Sequence, residues 1–420
     1  MKKLFVLFAV APLVFGCSDS DEQVQESTSP QVLRVSTLGE KVSNPTNSGW
    51  CKDSVAAEAT LSSVRRISDR FYKMDYLTEL PLDQLVDGNY RTRDAFETAF
   101  DTLMFHPQGY EYAKVDKGTA CSGFVCWNEK GEILLGRNFD GDGGPLMLIH
   151  NKANGFKFVQ FTDPHYNSVQ FNSSDREHGD GILSDGKTSL HRLLREPLAT
   201  MDGMNEYGLC FGAYQLPSFD NHPGTPLAQN TGKKAIVSSL MHNLILARCK
   251  TVKEVEALLK AHDMVNIMES LNVHWMMADA TGDWALFEYW KDELHVYREA
   301  DLIGLSVYVG TDVPYEWYSI ENYYRSLEPY STYPKQYVAD DWQIKMSAKK
   351  RVGHMMNFYK PTMSEMEALR CLQEGRYDLE VPHHMTNWSC IYNPAQKTVI
   401  FALRNDMSQV YKVDLKEDLK

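Results

Sequence analysis

The stretch that most constrains this 420-residue chain is Cys121-Ser-Gly-Phe-Val-Cys-Trp127, an almost wholly apolar run. Such a run reads as a strand buried in a core. Asn128-Glu-Lys-Gly131 supplies turn residues, and Glu132 to Gly136 reads as the returning strand, so the segment predicts a hairpin. Further strand-like runs occupy Phe156–Phe161, Leu209–Gln215, Val273–Ala278, Trp284–Trp290, Leu305–Val309, Val399–Leu403 and Val410–Leu415. Between them the spacing predicts helices over Ala235–Arg248, from a capping box at Thr251…Glu254, over Ala348–Phe358, and from a second box at Ser364…Glu367. Strands, then helices, then strands again predict sheets covered by helices, an α+β layered domain.

The chain carries 43 Lys+Arg against 56 Asp+Glu, a formal net charge of −13. That balance argues against nucleic acid as a partner, because binding it requires cations to neutralise phosphates. At the N-terminus, Lys2-Lys3 precedes the apolar run Leu4–Phe15, which has signal-peptide length. It ends Leu13-Val-Phe-Gly16-Cys17, which resembles a bacterial lipobox and predicts that Cys17 is lipidated after cleavage. Residues 18–48 contain no aromatic residue and many polar ones, so they read as a flexible tether. From Asp53 to Phe105 the positions Val55, Leu61, Val64, Ile67 and Phe71 recur at helical steps. The expected organisation is a signal peptide over 1–16, a tether over 17–48, a helical pro-segment over 49–120 and a catalytic domain over 121–420.

Cysteine usage does not predict a disulfide framework. With Cys17 lipidated, seven cysteines remain, several lie in apolar runs, and no CxxC or Cys/His metal spacing occurs. The chain contains no HExxH, GxSxG or Walker A pattern. Asn138-x-Asp140-x-Asp142-Gly143 imitates half of an EF-hand loop, but its twelfth position is Ile149 where calcium needs a carboxylate. No metal or cofactor is implied.

The residues that carry chemistry begin at Cys121. Arg137 lies sixteen positions on and Asp140 nineteen, both within Gly136-Arg-Asn-Phe-Asp140 after the return strand. A hairpin brings that end of the second strand beside the start of the first, so all three side chains can meet. This block resembles the choloylglycine hydrolase family, which includes bile salt hydrolases and penicillin V acylases, cysteine-type N-terminal-nucleophile hydrolases of linear amides. The likeness continues at Met204-Asn205-Glu-Tyr-Gly-Leu209, Thr311-Asp312-x-Pro314, Glu321-Asn-Tyr323 and Ser347-Ala-Lys-Lys-Arg351. It implies a four-layer αββα sandwich.

The family likeness also implies roles. Cys121 is the nucleophile and Arg137 favours its thiolate by opposite charge. The α-amino group of an N-terminal cysteine, with a reference pKa of about 8, serves as the base, and Asp140 holds that amine. Gln215 supplies a backbone N–H to the oxyanion, Asp312 stands where the family has an asparagine donor, Arg351 lies near the nucleophile, and Asn205 sits in the structural or substrate vicinity. An ionised aspartate only accepts hydrogen bonds, so Asp312 departs from the pattern. Because residues precede Cys121, the reading requires self-cleavage after Ala120.

Ten of the 35 residues from Tyr308 to Trp342 are aromatic, against 11% overall, which suits either buried core or an apolar wall for an acyl group. The expected function is that of an exported lipoprotein hydrolase of small-molecule N-acyl amides, held to the membrane through Cys17. An acyltransferase on the same fold, or an inactive lipid-anchored binding protein, are the alternatives.

Overall fold

The hairpin expected at Cys121 forms, and its side chains are buried on both faces of the sheet that contains it. The computed structural model describes residues 30–42, 51–106, 120–141, 144–164, 190–215, 228–266, 273–290, 292–298, 319–321, 355, 357–376, 385–404 and 406–420. Among them the chain opens with β1 (Gln31–Arg34), β2 (Glu40–Lys41), α1 (Ser54–Ser62), β3 (Arg65–Ser68) and β4 (Phe71–Tyr76). Then come α2 (Leu82–Asp87), α3 (Arg93–Met104) and the hairpin strands β5 (Ala120–Trp127) and β6 (Ile133–Gly141). Next are β7 (Leu146–Asn151), β8 (Phe158–Thr162), a 3-10 segment (Leu190–Ala199), β9 (Thr200–Asn205) and β10 (Cys210–Gln215). β11 (Ala235–Val237), α4 (Ser238–Arg248), α5 (Val252–Ala261) and β12 (Asp263–Val265) lead to β13 (Val273–Ala278), β14 (Trp284–Trp290) and β15 (Glu293–Tyr297). The remainder is β16 (Ser319–Glu321), α6 (Glu365–Glu374), β17 (Met385–Asn393), β18 (Thr398–Leu403), β19 (Asp406–Asp414) and α7 (Leu415–Asp418).

These strands build a seven-stranded sheet, β1-β19-β18-β17-β6-β5-β16, and a ten-stranded sheet, β15-β14-β13-β10-β9-β8-β7-β4-β3-β2. Leu135 and Phe139 of β6 and Trp388 of β17 meet Leu148, Phe161 and Tyr214 of the larger sheet in one buried core between the sheets. The opposite face of the smaller sheet (Phe124, Cys126, Leu134) packs under Leu369 and Leu372 of α6. The outer face of the larger sheet is covered by α1–α5, with Phe96, Phe100, Leu240 and Leu244 buried against it. Helix, sheet, sheet, helix is the expected four-layer order. Each fully buried apolar side chain contributes roughly 1.5–3 kcal/mol relative to exposure.

Caps set several of the boundaries. Ser364 Oγ accepts from the Glu367 N–H at 3.3 Å while Glu367 Oε2 accepts from the Ser364 N–H at 2.8 Å, the reciprocal box expected at the start of α6. Thr251 caps α5, accepting from the Glu254 N–H at 3.2 Å. The helix expected from Ala235 begins only at Ser238, because Ala235-Ile-Val237 pairs with β12 instead. Leu305–Val309 and most of Ala348–Phe358 lie outside the described residues, as do residues 1–29 with Cys17.

The region before Cys121 departs most from expectation. Residues 30–42, assigned to the tether, contain β1, which pairs in parallel with β19, and Val35, which is buried between the sheets. An edge strand exposed along most of its length needs few apolar residues, so composition alone misjudged it. The described part of residues 49–120, expected to be a helical pro-segment, is only partly helical. Val64, Ile67 and Phe71 keep helical spacing, yet β-branched and aromatic residues around them form β3 and β4, and β4 joins β7 in a six-residue parallel register. Pairing with an existing strand outweighs a weak local periodicity.

Candidate active site

Cys121 is the second residue of β5 and lies opposite Phe139 of β6, which places Gly123 opposite Arg137 and Ala120 opposite Asp140. Arg137 is fully buried between the sheets, and its Nη2 donates to Cys121 Sγ at 3.6 Å. The backbone N–H groups of Asp140 and Gln215 also hydrogen-bond to the thiol. Burial is the largest influence on that thiol and pushes its pKa up. Arg137 and the two N–H groups pull it down, and the Asp140 carboxylate pushes it up again. The net direction is upward, so in the intact chain the Cys121 thiol stays protonated at neutral pH.

Arg137 is held from four sides. Its Nη1 pairs with Asp202 on β9, its Nη2 also donates to the Ala213 carbonyl, and the rings of Phe139 and Tyr214 lie 5.1 and 5.5 Å from its carbon centre. Burial works against its charge, but Asp202 first and Cys121 next outweigh that and raise its pKa. Asp202 is also fully buried, and it accepts from the Tyr392 hydroxyl and, at 3.2 Å, from Trp388 Nε1. Burial pushes its carboxyl up, and Arg137, Tyr392 and Trp388 pull against that. Three donors around one carboxyl suit a carboxylate, which can only accept.

Two glycines make the arrangement possible. A Cβ on Gly212 would stand 2.6 Å from Arg137 Cδ, and one on Gly123 would stand 2.2 Å from the Tyr214 hydroxyl. The absence of those side chains lets the arginine and the tyrosine cross between the sheets. Asp140, directly across from Ala120, borders the Ala120–Cys121 peptide, and its Oδ1 accepts from Thr386 Oγ1 at 2.5 Å.

The structure therefore brings Cys121, Arg137, Asp140 and Gln215 together. Asp312 and Arg351 lie outside the described residues. Asn205 sits elsewhere, in the turn joining β9 to β10, with the length of β10 (roughly 17 Å at ~3.3 Å per residue) separating that turn from Gln215. Its Nδ2 donates to the carbonyls of Leu246 and Cys249 at 3.0 and 2.7 Å, and its Oδ1 accepts from the N–H groups of Tyr207 and Leu209. It clamps the turn to the end of α4 and does not border the thiol. Asp202, Tyr214 and Thr386 were not identified from the sequence. The only available signal was general: a buried arginine requires a carboxylate partner, but spacing does not say which one.

A thiol near the head of a buried strand, in two facing sheets flanked by helices, is the arrangement of an N-terminal-nucleophile hydrolase. The chain belongs to the choloylglycine hydrolase family of linear amide C–N hydrolases, whose family model matches residues 121–341. It is 26% identical over 182 residues to a bile salt hydrolase/transferase of Clostridium perfringens; the match covers 42% of this chain and 50% of that protein. The chain thus spans about half the length of the curated relative it matches. Among solved structures, a conjugated bile acid hydrolase from Clostridium perfringens aligns at 15% identity and a TM-score of 0.45, covering 71% of this chain and 93% of that one. The penicillin V acylase of Agrobacterium tumefaciens aligns at 14% identity and 0.45, covering 71% and 88%.

Proposed function

We propose that this protein is an exported, lipid-anchored hydrolase of N-acyl amides with hydrophobic acyl groups, and that Cys121, freed by self-cleavage after Ala120, is its nucleophile. The observation that carries the reading is the contact of one buried thiol with Arg137 and with the N–H groups of Asp140 and Gln215. Family membership supports the reaction class.

In the intact chain the thiol attacks the Ala120 carbonyl, with Arg137 and the two N–H groups favouring the thiolate for this step. The C–N bond of the Ala120–Cys121 peptide breaks, a thioester to Cys121 Sγ forms, and the nitrogen takes the Sγ proton and leaves as a free α-amine. Water then cleaves the thioester, giving a carboxylate on Ala120 and restoring the thiol. The new amine supplies the base that burial of the thiol makes necessary. It takes the Sγ proton as the thiolate attacks the substrate carbonyl, and the Gln215 N–H donates to the oxyanion. Collapse expels the substrate's amine, which receives that proton from the α-ammonium. Water, deprotonated by the α-amine, then releases the carboxylic acid. Asp140 holds the amine in place throughout.

N-terminal sequencing and intact mass of purified protein test the cleavage. A terminus at Cys121, lost in Cys121→Ala together with amidase activity on a panel of N-acyl amino acids, is the expected result. A single uncut chain that still hydrolyses the panel would refute the scheme. The name of the curated relative joins hydrolase to transferase, which favours one second reading, acyl transfer from the same thioester. Product analysis with an added amine acceptor separates the two, since transfer yields a new amide in place of the free acid. Labelling with a radioactive fatty acid, abolished by Cys17→Ala, tests the anchor.

A further inference from the structure

We infer that residues 30–106 are a permanent subunit of the enzyme, retained on residues 121–420 after the chain is cut. The inference rests on the proposed self-cleavage for its occasion, but the contacts that carry it are independent of that step.

The segment is built into both sheets. β4 pairs in parallel with β7 from Phe71↔Leu146 to Tyr76↔Asn151, and β3 and β2 continue the ten-stranded sheet beyond it. β1 pairs in parallel with β19 at the edge of the other sheet. The Phe71 side chain enters the core between the sheets, with its ring 5.3 Å from that of Phe401 and 5.0 Å from that of Tyr411. Loss of β4 would open this core to water along Leu146 and Leu148, so the larger fragment cannot keep its native packing alone.

Charge follows the same boundary. Asp75, Asp83, Asp87 and Asp101 of the segment pair with Lys152, Arg248, Lys234 and Arg195 beyond it. In the reverse sense, Arg91 reaches Asp263 at 3.0 Å and the carbonyls of Gln229 and Lys233 at 2.7 and 2.8 Å. Exposed pairs of this kind add little affinity each. Their consistent sign, mostly acid on the segment and base on the rest, instead fixes orientation. The Tyr76 hydroxyl, fully buried, donates to the Leu194 carbonyl at 2.7 Å. A lipid on Cys17 would therefore hold the catalytic chain at the membrane through this interface.

A site-specific protease sequence inserted between residues 106 and 120 tests this, in the native chain and in Cys121→Ala. After cutting, size exclusion in native buffer should return both fragments in one peak, separating only in denaturant. The native-Cys121 sample should keep its amidase activity. Should the insertion prevent folding, a C-terminal tag on self-cleaved unmodified protein must still co-purify the N-terminal fragment. Elution of residues 121–420 alone, folded and active, would overturn the inference. A chain that never cuts itself but keeps its fragments after engineered cutting would refute self-cleavage and leave the subunit intact.

Discussion

Replacing Arg137 by Gln removes a cation in contact with the Cys121 thiol and leaves Asp202 buried beside it. For unit charges 3.6 Å apart at an effective dielectric of about 20, the arginine favours the thiolate by about 4–5 kcal/mol. The midpoint of Cys121 alkylation by iodoacetamide, followed against pH, should shift upward, because the charge that pulls the thiol's pKa down is gone. Hydrolysis at neutral pH should fall by about two to three orders of magnitude. Stability should fall as well, by about 3–5 kcal/mol, because the carboxylate has lost its counter-ion. The pair Arg137→Gln with Asp202→Asn separates the two effects. With no charge left to bury, most of the stability should return in a urea titration, while the thiol midpoint stays high and activity stays low. If the double variant recovers activity along with stability, the arginine acts only as a structural member and the electrostatic argument fails.

Other expectations follow from the same geometry. Gly212→Ala puts a methyl group into Arg137 Cδ, so hydrolysis should drop at least about tenfold, from a displacement of the guanidinium costing about 1.4 kcal/mol or more. Thr386→Val removes a donor from Asp140; a kcat loss of about tenfold with KM unchanged, measured on self-cleaved protein, is expected from one buried hydrogen bond. Burial pushes the thiols of Cys249 and Cys371 up to about 12 and those of Cys126 and Cys210 higher still. The folded state therefore keeps protons that the unfolded chain releases above pH about 8.5, so stability should fall as pH rises from there toward 12, by up to about 1.4 kcal/mol per unit for each such thiol. Thermal melts from pH 7 to 10 check the sign; a rise in Tm over that range would refute it.

The legible parts of the site were local. Cys121, Arg137 and Asp140 lie on one hairpin, and hairpin register follows from the turn residues and the strands they join. What escaped was non-local. Asp202 is 65 positions from Arg137, and Thr386 is 246 from Asp140; side chains on different strands meet only once two sheets have packed. Helices announced by capping residues, such as the one after Ser364, were read correctly, since the cap bond spans three residues. β3 and β4 were misread because Val64, Ile67 and Phe71 satisfy a helical period by coincidence, while the partner that makes β4 a strand lies at Leu146–Asn151. For Asn205 the motif left a structural place and one near the substrate both open; its four hydrogen bonds fasten a turn to the end of a helix, in keeping with the structural one.

Among the described residues, two terminal strands of the sheets are very short: β1 has four residues and β2 has two. A foreign strand seeking to add itself to such a margin finds only a few unpaired amides before the ladder ends. At those two margins the described sheets thus present little template for runaway stacking. For a protein rich in β-structure, that brevity at the margins works against fibrous aggregation.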